Sequence, residues 1–537
     1  MPAALDHLPL ELVHMILAHL DIDCRHTKQP DPLDTPHRLS QSPDMPSWYS
    51  MKLQPLLSLC LVSRSFRNIF QPILFQEFMR GCGDSYVSQV YTWDGRLLSF
   101  LRTVARRRDL AGFVRRIRIV PHLFQASRQA LEKEERSRRG KRKRRESCQT
   151  PVVVSDTSPA LRKSIQDEEA HDTLHEVGVA LGIRMTGQLS AKDLIILLIA
   201  ALPNLEHCSL FVGPDSIMSS VQPWPLLKAG ISQLPLQVLN ISVLDSSQDF
   251  ELDYIAQSLL ELSPRLESLN LHRCDGTGQY VPLPSLPNLK HIRIMCSRLN
   301  EQTLENILNT CDSLCSFTYE ARGKPGDPPF ERLHSWDSSD HFELHNAARY
   351  LSRHHKTLKS VHIDLRHRGG NIAVPKPFSF RELTALKHLF FNLDEFHSRF
   401  FKQDWPDDQV FLQILPSGIE SLHLAGHIGK EFPRLQLYLL GLAQALIRGE
   451  FRDLKEIRWD IAAQLVREEV VVSVFADSGV DFNFHSWPET SLTFDRSAIT
   501  PAPNYEHSFF DLMRRAHEDP TIDVWATASM TSITHPV

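Results

Sequence analysis

Between Val114 and Trp459, apolar side chains return at the first, fourth and sixth positions of short segments. The clearest instances are Leu266-Leu269-Leu271, Leu289-Ile292-Ile294, Leu314-Phe317-Tyr319 and Leu358-Val361-Ile363. Val114-Ile117-Ile119, Leu205-Cys208-Leu210, Leu236-Leu239-Ile241, Leu386-Leu389-Phe391, Ile419-Leu422-Leu424 and Leu454-Ile457-Trp459 bring the set to ten. The fourth and sixth residues are two apart, so both side chains enter one face of an extended strand, while the third, fifth and seventh point to the other.

From residue 205 the first positions are spaced by 31, 30, 23, 25, 44, 28, 33 and 35 residues, an irregular repeat. Several gaps carry apolar residues at helical spacing, namely Glu251 to Leu262, Asn300 to Leu314, Phe342 to Leu358 and Arg434 to Arg448. The longest gap also holds the Gly/Pro/Asp-rich loop Arg322 to Asp340. Strand, helix, strand alternation predicts an α/β fold: a parallel sheet with right-handed crossovers, stacked as a solenoid with helices on its outer side.

The N-terminal pattern differs. Leu8, Leu12, Ile16 and Leu20 recur every fourth residue with Val13 and Leu17 beside them, and Pro9 and Glu11 suit a first helical turn. A second segment repeats the arrangement, with Pro55 near a helix start and Leu56, Leu59, Cys60, Ser63, Phe66 and Ile69 at helical spacing. Residues Asp23 to Ser50, rich in Pro, Asp and Ser, read as a flexible insertion between the two. Each apolar stripe is wider than one buried seam requires, so something must cover it.

Composition narrows the class. With 537 residues, 42% hydrophobic and 23% charged, the chain exceeds one ordinary core and predicts several domains or an extended array. A net charge of -5 gives no general pull toward nucleic acid or anionic membrane. The longest apolar run, Leu194 to Leu202, is far too short to span a bilayer, and Asp6, Glu11 and His14 interrupt any leader-like stretch at the start. Nine scattered cysteines suit a reducing compartment, so cytoplasm or nucleus is expected.

Leu8-Pro9-Leu10-Glu11-Leu12 followed by Leu61-Val62-Ser63-Arg64-Ser65-Phe66 and Gln71-Pro72-Ile73-Leu74-Phe75 resembles an F-box, and the downstream segments resemble leucine-rich repeats. The combination looks like a fungal-type F-box protein with irregular leucine-rich repeats. It departs from the family in carrying Phe66 where many members have Trp, in the long insertion between its helices, and in lacking an Asn or Cys after most strands; Cys274 alone fits that position. The resemblance implies a trihelical module that docks on a Skp-family adaptor and, through it, on cullin and RING subunits of an SCF ubiquitin ligase. Carried over by position, Leu8, Pro9, Leu12, Ile16, Leu56, Leu59, Val62, Ser63 and Phe66 would face the adaptor or support that interface.

The expected organisation is an F-box over 1–80 with its insertion at 23–50, a linker and first repeat over 81–125, a basic insertion over 126–165, the solenoid over 166–485, and a cap and tail over 486–537. Within the insertion, Arg138, Arg139, Lys141, Arg142, Lys143, Arg144 and Arg145 form a run that no core can hold. It reads as a nuclear localisation signal or as a solvated loop; without interleaved aromatic residues it lacks the stacking platform of a single-strand nucleic-acid site.

No phosphate loop, nucleophile elbow, zincin motif or paired Cys-x-x-Cys occurs in the sequence, so no enzymatic activity and no cofactor are expected. His171 and His175 behind Asp167, and Cys311 with Cys315, share helical spacing without further ligands, which suits a solvated face and a buried helix end better than a metal. The outward strand positions are the candidate recognition surface. Six of those thirty positions are histidine, against about one and a half expected from 26 histidines among 537 residues. Asn240, Asn270, His272, His291, Arg293, His362 and Phe390 are the candidate contacts for a folded or peptide target, through hydrogen bonds around an aromatic anchor. The expected function is a non-catalytic substrate receptor of an SCF ligase; an F-box scaffold outside the ligase and a repeat-protein regulator of another enzyme are the alternatives.

Overall fold

The computed structural model describes residues 48–78, 96–119, 197–212, 230–243, 250–252, 259–276, 283–321, 341–365, 378–392, 406–426, 432–461 and 468–483, with 175, 177–179 and 181. The chain divides into two compact units, Met1–Leu236 with Leu512–Val537, and Gln237–Asp511. Described residues of both units combine helices with parallel strands, the α/β class that the repeat pattern predicts.

In the first unit, helix α1 (Trp48–Val62) leads into α2 (Arg64–Leu74). Two expectations change here. The helix begins at Trp48, inside the stretch expected to be a flexible insertion, and Pro55 lies within it instead of at its start. The continuous helical spacing across Ser63 is also broken. Ser63 is extended (φ -154°, ψ 167°), and its Oγ accepts the Phe66 amide at 3.1 Å, so it caps a new helix instead of continuing the old one. Arg67 Nε donates to the Cys60 carbonyl at 3.3 Å and satisfies one acceptor at the end of α1.

Strand β1 (Glu77–Phe78) follows, then α3 (Arg96–Arg106), α4 (Arg108–Ala111), β2 (Arg116–Ile119) and β3 (His207–Val212). The three strands are parallel, with Glu77 opposite Arg116 and Arg116 opposite His207. The Arg116 guanidinium lies 2.9 Å from the Glu77 carboxylate, tying β1 to β2.

The second unit holds β4 (Val238–Val243), β5 (Phe250–Glu251), β6 (Ser268–His272), β7 (Cys274–Gly276), β8 (His291–Ser297), α5 (Glu301–Leu308), β9 (Ser316–Ala321), α6 (Leu344–Leu351), β10 (Ser360–Asp364), β11 (His388–Asn392), α7 (Val410–Ile414), β12 (Ser421–Gly426), α8 (Phe432–Ile447), β13 (Glu456–Ile461), α9 (Glu468–Asp477) and β14 (Asp481–Asn483). Strands β4, β6 and β8 through β14 form one parallel sheet in that order, while β5 and β7 pair separately. Val238, Ser268, His291, Ser316, Ser360, His388, Ser421, Glu456 and Asp481 stand in register across it. Each is the third residue of its repeat, except Asp481, which belongs to a terminal strand with no matching apolar triplet.

The register has a local cause. The carbonyl of the second residue in a repeat accepts two amides from the next: Glu267 and Ser268 bind Gln237, Lys290 and His291 bind Glu267, and Cys315 and Ser316 bind Lys290. The series continues through Cys315, Lys359, Lys387 and Glu420. Apolar residues four and six point inward. Leu239, Ile241, Leu269, Leu271, Ile292, Ile294, Phe317, Tyr319, Val361, Ile363, Leu422, Leu424, Ile457 and Trp459 are all 2% exposed or less. Helix α5 starts at the Asn300 cap, whose side chain accepts the Thr303 amide at 2.8 Å, and ends well before Leu314 because Thr310 Oγ1 donates to the Ile307 carbonyl at 2.7 Å and turns the chain toward β9.

The missing asparagine ladder is replaced twice. After β8, Ser297 occupies the position that Cys274 occupies one repeat earlier, and its Oγ accepts the Cys274 amide at 2.9 Å. Before the strands, Asn288 Nδ2 donates to the Pro264 carbonyl at 2.9 Å and Thr357 Oγ1 to the Leu314 carbonyl at 2.8 Å, tying successive lead-in turns together. Within the first unit, Asn204 does the same to Gly112 at 2.8 Å.

Candidate interaction surfaces

Of the residues expected to meet an adaptor, Leu56 and Phe66 are core: with Cys60 and Phe70 they form the buried centre of the α1/α2 pair, and Phe66 meets Phe70 edge-on at 5.6 Å. Leu59 packs partly against this cluster, and Ser63 is the cap described above. Val62 is 59% exposed, and beside it Leu61 is 79% exposed. Spacing does not single out Leu61, because helical periodicity identifies the buried stripe and not the apolar residues outside it. Leu8, Pro9, Leu12 and Ile16 lie outside the described residues, as does the basic run Arg138 to Arg145.

On the outward face of the second unit's sheet, exposure falls along each strand. The third-position row is the open one, with His291, His388 and Asp481 exposed and Ser268, Ser316, Ser360, Ser421 and Glu456 half-buried. Asn270, Arg293, Thr318, His362 and Arg458 of the fifth-position row are half-buried, whereas Asn240 and Phe390 are buried. The seventh-position row is closed: Ser242, His272, Met295, Glu320, Asp364 and Ala425 are all buried.

The candidate contacts therefore divide. Asn270 Nδ2 donates to Asn240 Oδ1 at 2.6 Å, joining two neighbouring strands through their carboxamides. Ser242 Oγ and His272 Nδ1 make a buried contact at 3.1 Å, and His291 Nδ1 and Ser316 Oγ an exposed one at 3.0 Å. Phe390 is an aromatic anchor for its own sheet. The His362 ring stacks on it at 4.2 Å, the His423 ring meets it edge-on at 5.0 Å, and Ala425, small enough to admit the ring, packs beneath.

Charge follows the same grain. His362 Nε2 is 3.8 Å from the buried Glu320 carboxylate. Arg458 donates from Nε and Nη2 to Glu456 Oε2 at 3.2 and 3.1 Å, and Ser421 Oγ donates to Glu456 Oε1 at 2.6 Å. Burial pushes the Glu456 carboxyl upward, but these bonds with the charges of Arg458 and His388 prevail and hold it below its ordinary value. Burial, with Lys290 adding to it and Glu267 opposing, lowers His291 below its ordinary value. Along the sheet margin, Lys387 and Lys455 flank Glu420 at 3.2 and 2.6 Å, and their hydrogen bonds hold its carboxyl low.

Among the described residues no group of His, Cys, Asp or Glu side chains is placed to hold a metal ion, and no helix is long and apolar enough to cross a membrane. Cys311 is a buried thiol that burial pushes up to about 12, and its Sγ contacts the Leu308 carbonyl at the end of α5. No protein-family model and no curated protein matches the chain.

Proposed function

We propose that this chain is a substrate receptor of an SCF-type ubiquitin ligase, in which an F-box containing α1 and α2 holds a Skp-family adaptor and a leucine-rich-repeat solenoid presents a target. The observation that carries the reading is the pairing of two features. One is a capped helical hairpin that keeps Leu61 and Val62 outside its core; the other is a nine-strand register whose outward rows are mostly polar, with Val238, Met295, Phe390 and Ala425 as the apolar members. Such a protein needs no nucleophile or base, since holding an acceptor lysine beside a ubiquitin thioester raises effective concentration. The basic run Arg138 to Arg145 would direct part of the population to the nucleus, with the rest in the cytoplasm.

The test is capture of adaptor and cullin by the full-length chain from cells. Adaptor together with cullin is the expected result, and Leu61→Asp with Val62→Asp should abolish both. Adaptor without cullin would replace the reading with an F-box scaffold outside the ligase, and neither protein would leave a repeat-protein regulator of another enzyme.

A further inference from the structure

Seven arginines lie between Arg102 and Arg118, against one acid, Asp109. The described residues of the first unit hold three carboxylates, and each is already engaged. Glu77 is held by Arg116, Glu206 by Arg115 at 2.6 Å, and Asp109 by Arg107, whose Nε and Nη2 donate to its two oxygens. Arg118 is buried on β2. The guanidiniums of Arg102, Arg106 and Arg108 remain without a carboxylate among the described residues. Arg102 and Arg106 stand four residues apart on one face of α3, about 6 Å along its axis, and Arg108 opens α4 two residues later. Like charges at this spacing repel, and Arg102 Nε is buried with no acceptor among the described residues. The joint between the helices is open to solvent. Arg106 to Asp109 are all exposed, and four residues beyond Asp109 the Phe113 ring is 39% exposed, its amide bonded to the Leu110 carbonyl.

We infer that the α3/α4 joint docks an acidic polypeptide segment, with carboxylates on Arg102, Arg106 and Arg108 and an apolar side chain on Phe113. The inference does not rest on the ligase reading. Carboxylate is the favoured anion because the joint already binds one: Asp109 takes from Arg107 the two hydrogen bonds that a partner's carboxylate takes from the neighbouring guanidiniums. In an extended segment, acids at every second residue share a side and lie about 6.6 Å apart, close to the spacing of Arg102 and Arg106. An apolar residue at the end nearer Arg108 then reaches Phe113. The exposed ring speaks against a nucleic-acid duplex, which would cover it with phosphates and no apolar group. A single strand would find one ring, where such sites stack successive bases on several.

The test is fluorescence anisotropy of a labelled peptide, Glu-Ser-Glu-Ser-Glu-Ser-Leu, on the full-length chain at low ionic strength. Each basic residue from Arg138 to Arg145 is replaced by glutamine in this protein, so that the basic run does not compete for the peptide. The peptide should bind roughly tenfold more tightly than its counterpart with glutamine for glutamate, and salt should erase the difference. Phe113→Ser should weaken binding about threefold, and a peptide with serine for leucine reads the same contact on a protein with Phe113 intact. Arg102→Gln with Arg106→Gln and Arg108→Gln should weaken binding about tenfold. Arg102 is half-buried, so if the triple variant fails to fold by circular dichroism, Arg106→Gln with Arg108→Gln, both at exposed positions, should weaken binding in the same direction. Equal affinity for the glutamine peptide, no binding, unchanged affinity in the exposed double variant or for the serine-ended peptide, or preference for an oligonucleotide of equal charge overturns the inference.

Discussion

Ser297 Oγ accepts the Cys274 amide at 2.9 Å while donating to the Met295 carbonyl at 2.7 Å, so one buried hydroxyl closes two neighbouring repeats where the chain leaves the sheet. The residues just before each of these positions, Arg273 and Cys296, have φ of 65° and 48°, the left-handed conformation that a tight exit turn demands. Ser297→Ala leaves the Cys274 amide without this acceptor in a site that is 1% exposed at Ser297 and 0% at Cys274. It should cost about 1–3 kcal/mol, read as a lower urea midpoint with an unchanged slope. An unmoved midpoint would mean that another acceptor serves the turn.

The repeat strands are legible because their cause is local: apolar residues at positions one, four and six mark each of them, and within each unit they pair in register, whereas the short strands β1, β5 and β7 carry no such triplet. The terminal strand Asp481–Asn483 escaped because Phe482 is its only described inward residue, too little to form a triplet. The break at Ser63 was hidden for a different reason. Spacing across it remains helical, and only the cap's hydrogen bond to Phe66 distinguishes two helices from one. The ladder is not legible at the position after each strand, because its bonds come from Ser297 there and from Asn204, Asn288 and Thr357 in the lead-in turns before the strands. Among the candidate contacts, alternation placed all seven on the outward face, but nothing in it tells Phe390, enclosed by His362, His423 and Ala425, from the exposed His291.

A second relationship fixes how α8 lies. Gly441 faces the backbone of Asp408, and a Cβ added there would collide with the Asp408 carbonyl oxygen. The obstacle is main chain, which cannot rotate away as a flexible side chain can. Gly441→Ala, normally favourable in a helix by roughly 0.5–1 kcal/mol, should here destabilise by about 1–3 kcal/mol through overpacking. Calorimetry on the two proteins decides it, and a raised melting temperature would show that the α8 contact yields.

The α1/α2 pair separates fold from surface. Phe66→Ala removes a ring that is 4% exposed and should cost about 3–5 kcal/mol, whereas Ser63→Ala removes one cap bond and should cost about 1 kcal/mol. Leu61→Asp, at a side chain 79% exposed, should stay within about 0.5 kcal/mol of the parent. All three are expected to weaken adaptor capture, but Leu61→Asp alone does so with stability essentially unchanged. Normal capture by that variant would remove Leu61 from the docking surface.

Three imidazoles, buried at His354, half-buried at His207 and at the exposed edge of the sheet at His291, set an acid limit on stability. Burial is the largest cause in each case: His207 is lowered further by Arg116 against the opposing Glu206, His291 by Lys290, and His354 by Arg353. Backbone hydrogen bonding and Asp312 oppose the shift at His354 without reversing it. A folded-state value below the ordinary 6.5 means that the unfolded chain takes up protons first as pH falls. Their contribution is therefore complete above 6.5 and is lost progressively below it, as pH falls toward the folded-state values. Urea midpoints should be level from pH 8 to 7 and decline toward pH 5, and His207→Gln should make that decline shallower whatever it does to stability at pH 8. An unchanged slope in the variant would assign the acid sensitivity to other groups.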